Sequence, residues 1–473
     1  MTDLLSRLVP SQAGALWIGF LVAFVLLGNH DRLLSRRNLA ILALLSIAPF
    51  LYDILDVGPG TQMWSFRAIF LLTGLAAIWG VRLSRGSSAP WRPNLPLGAT
   101  KVIAISVVAL TTATVLVEPP DDAGTYTNLG AQRWLETGQL PYGDELLKGP
   151  DAPGFGASAT YGPVLFGLHV PFQLVLGQKG NAASDDPMDR AYQRPAPLAS
   201  QLACLLSFLL GLGALFRIVR RSTDENMAWA TVAVLAATPY YVGLGGEELV
   251  IGGLRYISHI APAALTLVAF MLLHRPLWAG SVLALGAGAL FYPAFFFPIW
   301  FCWYAFRRDG AARFAVGFGA TGLLLAGLVF FFTDAGPGEN AISLFLESTL
   351  EHQEGTGPLE YGLSSFSFWT HHPGLSAIFQ RPLFGDSSLY KLSFLLFAGF
   401  CGFASMLAKD RSPAQLAALT AATAAAIQLW KTHATGSYVE WYLPFLLIAI
   451  LTQGRDSQPP PESSSDPVTS LTP

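Results

Sequence analysis

Two adjacent carboxylates, Asp121 and Asp122, stand just after an apolar run that ends at residue 117. A carboxylate held at the boundary between lipid and water can act as a general base, taking a proton from an acceptor hydroxyl that attacks an electrophile carried by a lipid. A neighbouring acid would raise the proton affinity of such a base, and a nearby cation would lower it. The alternative is structural, because aspartate is favoured as the N-cap of a helix. The sequence leaves both interpretations open.

The residues after this pair predict a helix over 126–137. One half of its helical wheel carries Tyr126, Gly130, Ala131, Trp134 and Leu135, and the other carries Asn128, Gln132, Arg133 and Glu136, with Leu129 as the exception. This pattern predicts a helix lying on the membrane surface. Gly138 can close the helix in the left-handed conformation, and Pro141 prevents its continuation. The Asp pair is therefore expected where a membrane span ends and a surface helix begins.

Composition identifies the environment that positions these residues. Of 473 residues, 52% are hydrophobic and 12% are charged, which is more apolar sequence than one soluble core can bury. Many runs approach the ~20 residues that cross ~30 Å of hydrocarbon, and they lack the alternation of strands. The sequence therefore predicts an all-α polytopic membrane protein. The net charge of -3, without any Lys/Arg-rich block, argues against a nucleic-acid partner.

We predict about thirteen transmembrane helices, with ends uncertain by several residues. They lie near residues 14–28, 38–55, 66–81, 102–117, 198–216, 227–243, 258–273, 277–290, 293–306, 314–332, 387–407, 413–430 and 438–453. The last twenty residues, 454–473, are rich in Pro and Ser and are predicted to form a disordered cytosolic tail.

Lys and Arg predict the orientation, because cytoplasmic loops carry the excess of these residues. The basic clusters are Arg32, Arg36 and Arg37; Arg82, Arg85 and Arg92; Arg217, Arg220 and Arg221; Arg307, Arg308 and Arg313; and Lys409 with Arg411. All of them fall inside only if residues 161–177 do not cross the membrane. His169 and the two prolines of this segment fit an interfacial or re-entrant helix. The loops 118–197, 333–386 and 431–440 then face outward.

A motif in the first outer loop resembles a known family. Its residues are Asp122, Tyr126, Gly130, Gly138, Pro141-Tyr142, Asp144, Lys148-Gly149-Pro150 and Tyr161-Gly162-Pro163. The string resembles the first periplasmic loop of GT-C superfamily glycosyltransferases, most closely the polyprenyl-phosphate-sugar branch related to dolichyl-phosphate-mannose mannosyltransferases. The close match covers this loop, and the rest of the chain agrees in topology and in looser features.

The resemblance implies an inverting glycosyltransferase of GT-C-like fold. In that family the loop aspartate is the catalytic base and the donor is a sugar on a polyprenyl phosphate, so Asp122 takes the base role here and Asp121 is the second candidate. The acceptor would be a glycan, a lipid or a protein, and the site would face outward from a bacterial cytoplasmic membrane. No cofactor is expected, and assistance by a divalent metal stays open. Residues 101–453 would form the family core, and residues 1–100 an added N-terminal module.

Further residues are expected to bind substrate in this scheme. In the motif these are Tyr126, Asp144, Lys148 and Tyr161, and elsewhere they are Glu248, Arg255, His259, Lys431, His433 and Tyr438. A lipid phosphate needs cations at the outer interface, which Lys148, Arg255 and Lys431 can supply. Snorkelling of these three side chains is the alternative, as is an internal Glu248 to Arg255 ion pair. No metal ligands are predicted.

The competing interpretation is a transporter or a flippase of lipid-linked glycans. Transporters commonly have paired broken helices in related halves and buried ion-coupling charges. The sequence lacks such a pairing and gathers its polar chemistry on one face, which favours an enzyme. A non-catalytic relative that acts as an assembly factor is the third interpretation.

Overall fold

The computed structural model describes most of the chain. The described residues are 11–51, 62–86, 91–117, 120, 122–144, 147, 157–177, 197–242, 256–307, 310–351, 386–430 and 438–453. Within them the secondary structure is helical apart from one isolated parallel bridge between Leu140 and Thr333. The all-α prediction is therefore confirmed for the part of the chain that the structure describes.

The described residues contain a series of α-helices. They are α1 (Gln12–Leu27), α2 (Arg36–Leu45), α3 (Gln62–Arg85), α4 (Leu97–Val117), α5 (Asp122–Thr137), α6 (Pro163–Leu176), α7 (Pro197–Ser222), α8 (Glu225–Ala237), α9 (Pro239–Val242), α10 (Ile257–Met271), α11 (Pro276–Ala289), α12 (Phe297–Ala305), α13 (Gly310–Phe332), α14 (Ala341–Leu346), α15 (Asp386–Leu407), α16 (Pro413–Trp430) and α17 (Leu443–Thr452). Short 3-10 turns lie at Pro141–Gly143, Ala157–Thr160, Tyr292–Phe296 and Val439–Trp441, and a π-turn lies at Glu347–Glu351.

Every predicted span overlaps one of these helices, and α16 has the predicted bounds 413–430. Four helices of the described residues are long and apolar enough to cross a membrane: α3 over Ala68–Arg85, α4, α7 and α13. The chain is therefore consistent with a membrane protein. Several other helices are apolar but shorter than the ~20 residues of a full span, so the number of about thirteen stays a prediction. The same holds for the non-crossing segment 161–177, because α6 is as short as some predicted spans.

Prolines explain why some predicted spans are interrupted. The span predicted at 227–243 ends its first helix at Ala237, and Thr238 before Pro239 has extended dihedral angles, φ -64° and ψ 146°. A residue that precedes proline is pushed out of the helical region by the proline ring. The predicted spans 293–306 and 438–453 likewise begin with 3-10 turns, and Pro293 and Pro444 lie at or just after these turns.

Hydrogen bonds between helix ends join the predicted basic clusters at one end of the bundle. Arg221 donates to the carbonyl of Met271 at 3.1 Å, and the Tyr304 hydroxyl donates to the carbonyl of Leu273 at 2.6 Å. Arg307 donates to the carbonyl of Arg411 at 2.8 Å. Asn226 donates to the carbonyl of Leu95, Arg37 to that of Arg92, and Gln453 to that of Leu83. We call this the arginine-rich end, comprising residues 32–37, 82–86, 91–95, 217–226, 271–275, 303–307 and 409–412. Its assignment to the cytosol stays a prediction.

The described parts of the predicted outer loops lie at the opposite end of the bundle. The Leu140 N–H donates to the carbonyl of Phe332, where α13 ends, and the Gly162 N–H donates to the carbonyl of Ala289, where α11 ends, at 3.3 Å. We call this the loop end; it comprises the described parts of 120–163, 256–259, 289–292, 333–345 and 438–441. The two ends are separated as the predicted topology requires.

The polar half of α5 was expected to face water, and this is wrong for Asn128 and Gln132, whereas the position of the helix relative to the membrane stays a prediction. Asn128 and Gln132 on the polar half are only 1% and 4% exposed, and Tyr126 on the other half is also buried. The physical reason is a polar partner: the Gln173 amide of α6 donates to the side-chain oxygen of Asn128. The close approach of α5 and α6 also requires Gly130, where a Cβ would lie 2.6 Å from the Phe166 ring. Helices α5 and α6 therefore pack closely against each other, and their position at the membrane interface stays a prediction.

The predicted end of α5 is confirmed. Helix α5 ends at Thr137, and Gly138 follows with a φ of +73°, the left-handed conformation that glycine adopts without steric cost. The Gly138 N–H donates to the carbonyl of Trp134 at 2.9 Å, which closes the helix. Pro141 then begins a 3-10 turn.

Candidate functional site

The candidate base stands where a helix begins. Asp122 is the first residue of α5, but its side chain is not among those that the structure describes, and Asp121 lies outside the described residues. The start of a helix is the positive end of its dipole, which favours a carboxylate whether it caps the helix or acts as a base. Both interpretations of Asp122 stay predictions.

A buried ion pair holds the far end of α5. Arg133 and Asp144 lie 2.7 Å apart with side chains only 14% and 9% exposed. Asp144 was expected to bind substrate, whereas Arg133 was assigned only to the polar half of a surface helix. The pairing partner was missed because nothing local indicates that residues eleven positions apart meet across a turn. A short charge-assisted pair of this kind fixes geometry, and substrate binding by Asp144 stays a prediction.

Tyr142 fixes the 3-10 turn Pro141–Gly143, which follows α5. Its hydroxyl donates to the main-chain carbonyl of Tyr161 at 2.8 Å, and its ring contacts Phe345 edge-on with centroids 5.0 Å apart. Complete burial raises the pKa of Tyr142 well above its ordinary value, so the hydroxyl stays protonated and keeps donating. The motif residues Tyr142, Asp144 and Tyr161 thus build a rigid support for α5. In this support Tyr161 contributes its carbonyl.

A second group of ionisable residues forms around His259, and we call it the histidine cluster: His259, Glu440, Tyr256, Tyr438 and Trp441. His259 lies near the start of α10, and Glu440 lies in the 3-10 turn before α17. The imidazole Nδ1 and the carboxylate Oε2 are 3.9 Å apart, with His259 5% and Glu440 0% exposed. The pair is ionic only when the imidazole is protonated.

Aromatic rings enclose this pair. Tyr256 stacks on the imidazole of His259 with centroids 4.8 Å apart, and Tyr438 meets it edge-on at 4.2 Å. Tyr438 also stacks on Trp441 at 4.5 Å, and Trp441 stacks on Tyr292 at 3.9 Å. These rings shield the pair formed by His259 and Glu440 from water.

Gln428 sets the register of the turn that carries Glu440. Its amide nitrogen donates to the carbonyl of Tyr438 at 2.9 Å, and its amide oxygen accepts from the Tyr438 N–H at 3.0 Å. Gln428 is 1% exposed on the alanine-rich helix α16. The sequence interpretation missed this residue, although a lone amide in the apolar run "AATAAAIQLW" is a signal, since a polar group in such a helix is costly unless paired.

Helix α10 contacts both α5 and the turn Val439–Trp441. It therefore joins the helix that begins at Asp122 to the histidine cluster. Of the predicted substrate-binding residues, His259 and Tyr438 are in direct ring contact, and Tyr126 is buried within α5. The remaining predicted site residues, Lys148, Glu248, Arg255, Lys431 and His433, lie outside the described residues.

Another buried imidazole lies beside α5, on α6. His169 is fully buried, and its Nδ1 donates to the carbonyl of Leu165 at 2.9 Å. A carbonyl only accepts, so this bond assigns the proton to Nδ1 and leaves Nε2 as a lone pair, for which the described residues offer no hydrogen-bond partner. Burial lowers the pKa of His169 to about 4, so the ring is neutral near pH 7. In the sequence analysis His169 served only as an argument against a membrane span.

The described residues contain no group of three His, Cys, Asp or Glu side chains that could hold a metal ion. In comparisons with known proteins, no family model, no curated protein and no solved structure matches the chain.

Proposed function

We propose that this protein is an integral-membrane glycosyltransferase of GT-C-like fold. It would transfer a sugar, mannose or another hexose or pentose, from a polyprenyl phosphate to an acceptor hydroxyl outside the cytoplasmic membrane. The observation that carries the proposal is the position of α10, which contacts both α5 and the turn Val439–Trp441. Helix α10 thus links the helix that begins at Asp122 to the turn that carries Glu440.

The reaction assigned to this end is a single displacement. The Asp122 carboxylate takes the proton from the acceptor hydroxyl, and the hydroxyl oxygen forms a bond to C1 of the donor sugar. The bond between C1 and the phosphate oxygen breaks with its electron pair, and polyprenyl phosphate departs. Attack opposite the departing phosphate inverts the configuration at C1.

The histidine cluster has a natural role in this scheme. Charge develops on the phosphate as it departs, and a cation in a site shielded from water stabilises such charge strongly. A protonated His259, paired with Glu440 at 3.9 Å, would supply that cation. Lys148, Arg255 and Lys431 are proposed as further cations for the same phosphate.

The experiment uses the purified full-length protein in proteoliposomes with synthetic polyprenyl-phosphate hexoses and pentoses, beginning with mannose. Asp122→Asn keeps the shape and removes the base, so we expect turnover to fall by about 10²- to 10⁴-fold. Asp121→Asn is the matched control and should keep most of the activity. The reverse result would transfer the base role to Asp121, and undiminished turnover in both variants would refute a base at this helix start.

The same vesicles distinguish transfer from transport. Movement of the lipid-linked sugar across the bilayer without a new glycosidic bond would support the flippase interpretation, and the bond without movement supports the transferase. Addition of EDTA to the assay tests whether a divalent metal assists.

A further inference from the structure

An apolar groove runs between the N-terminal helices α2 and α3, over α17. Its cavity volume is about 440 Å³. Its lining residues are Leu39, Leu42, Ala43, Leu44, Ser46 and Ile47 from α2 and the turn that follows it; Leu72, Leu75, Ala76 and Trp79 from α3; and Tyr442, Leu443 and Leu446 at the start of α17. Apart from Ser46 and the Tyr442 hydroxyl, the lining offers only hydrocarbon and one indole. Such a surface suits an acyl chain.

The groove has walls and a floor. Leu39, Leu42 and Leu75 on the walls are 49%, 48% and 51% exposed, whereas Leu443 and Leu446 on the floor are 1% and 2% exposed. A lipid-facing helix surface is convex, so this three-sided concavity is more than a lipid-exposed stripe. The lining from Leu39 to Ile47 covers eight residue steps, roughly 12 Å at the helical rise per residue.

The orientation of α2, α3 and α17 shows which end of the groove lies at the arginine-rich end of the bundle. The Arg37 guanidinium lies over the Trp91 ring at 4.9 Å, and Trp91 lines a small cavity with Ile450 and Leu451 near the end of α17. The Gln453 amide donates to the carbonyl of Leu83 at 2.8 Å, so α17 and α3 end together. The start of α2 therefore lies at the same end as the last turns of α3 and α17, which is the arginine-rich end.

Both walls carry an arginine just beyond the groove at that end. Arg36 precedes Leu39 by three residues on α2, and Arg82 follows Trp79 by three residues on α3, so each shares the helix face that lines the groove. Both side chains are exposed. Among the described residues no carboxylate lies within 4 Å of either guanidinium. Arg85 belongs to another face, because it lies over the Phe403 ring at 5.5 Å.

We propose that the groove binds one membrane phospholipid with an anionic headgroup, its acyl chain between α2 and α3 and its phosphate between Arg36 and Arg82. We infer an anionic lipid from the charge of the site, because two arginines without described acidic partners lie at the end of an apolar groove. Guanidinium groups bind phosphate oxygens in paired hydrogen bonds. The site is separate from the proposed transferase site and does not require it. A bound lipid would, however, rest on Tyr442, two residues after Glu440 of the histidine cluster.

The test measures lipid retention by native mass spectrometry on the delipidated full-length protein, titrated with dioleoyl phosphatidylglycerol or with zwitterionic dioleoyl phosphatidylcholine. An arginine at a membrane surface is worth about fivefold in affinity, so the double variant R36Q/R82Q should bind phosphatidylglycerol about 25-fold more weakly. Arg85→Gln is the matched charge control and should bind as the wild type does. Ala43→Phe fills the groove from an exposed position and should abolish the tightly bound lipid, whereas Ala320→Phe, exposed on α13, should not.

The proposal is overturned if R36Q/R82Q and Ala43→Phe retain phosphatidylglycerol as the wild type does, or if phosphatidylcholine binds equally well. It is also overturned if undecaprenyl phosphate occupies the site and phosphatidylglycerol does not compete, because the groove would then serve the donor lipid. Monodisperse elution of each variant in detergent checks folding. Since Ala43 and Ala320 are both exposed, their comparison decides the matter even if the charge variant misfolds.

Discussion

At the arginine-rich end, Arg221 and Arg307 donate to main-chain carbonyls of neighbouring helix ends and remain at least partly exposed. At the loop end, Arg133 with Asp144, and His259 with Glu440, are withdrawn from water almost completely. Cations near the carbonyl ends of helices are stabilised by the dipole at little desolvation cost. Buried ionisable pairs carry a large desolvation cost, so their presence alone is weak evidence for stabilisation.

The difference is that the two buried ionisable pairs named above lie at the loop end. Buried ionisable groups with specific charge partners are typical of functional sites, although structural pairs share this signature. The loop end contains such groups, and the predicted Asp122 helix begins there. The arginine-rich end has the exposed cations expected of a surface beside anionic headgroups.

The largest effect on stability is expected from Arg133→Met. Removing the cation leaves the Asp144 carboxylate buried without it, and breaking a buried pair in this way costs about 3–5 kcal/mol. Arg221→Gln at the arginine-rich end removes a cation from an exposed hydrogen bond, for which about 0.5–1.5 kcal/mol is expected. Thermal unfolding midpoints in detergent measure both variants. Equal shifts would mean that the two ends do not differ energetically, and the double variant R133M/D144L should recover part of the loss.

Two glycines give a comparison of packing at intermediate size. Gly130→Ala places a Cβ 2.6 Å from the Phe166 ring and is expected to cost about 1–3 kcal/mol through overpacking of α5 against α6. Gly213→Ala on α7 meets nothing within 4 Å and should leave the unfolding midpoint unchanged or slightly raised, since alanine favours helix. If Gly130→Ala left the unfolding midpoint unchanged, α5 could move away from α6. The packing that supports the proposed site would then be less rigid than described.

The smallest effect concerns the Lys101–Glu225 pair at the arginine-rich end, whose atoms lie 2.8 Å apart with both side chains 36% exposed. The hydrogen bond from Lys101 lowers the pKa of Glu225 below its ordinary value of 4.5. A lowered pKa in the folded state contributes stability that is present above pH 4.5 and is lost as the pH falls through the folded pKa. The unfolding midpoint of wild type should therefore exceed that of Lys101→Met slightly at pH 7, and the gap should close in acid. A gap that widens in acid would contradict the assignment.

Local signals in the sequence predicted much of the fold. Apolar length predicted the bounds of α16, and Gly138 with Pro141 predicted the end of α5, because helix length and termination depend on neighbouring residues. The exposure of Asn128 and Gln132 to water was predicted wrongly, since an amphipathic pattern does not distinguish water from a polar partner helix. Here the partner is α6, whose Gln173 bonds Asn128.

The candidate site was predictable only in part. His259 and Tyr438 were both named, and each lies beside a distinctive local pattern of the chain. The pairing of His259 with Glu440, and of Arg133 with Asp144, depends on how distant helices come together. A single sequence contains no direct signal for such contacts, so residue type and spacing identify the candidates without their partners.

The paired amide bonds of Gln428 on Tyr438 have an evolutionary consequence. The two bonds fix the main chain of Tyr438, which follows residues 431–437. The position of Glu440 therefore depends on α16 and not on the number of residues between Gln428 and Tyr438. Insertions or deletions in that interval would leave the buried acid opposite its histidine. The length of the interval can thus change without displacing Glu440, provided that an amide stays at position 428 and that the proposed substrate-binding residues Lys431 and His433 are kept.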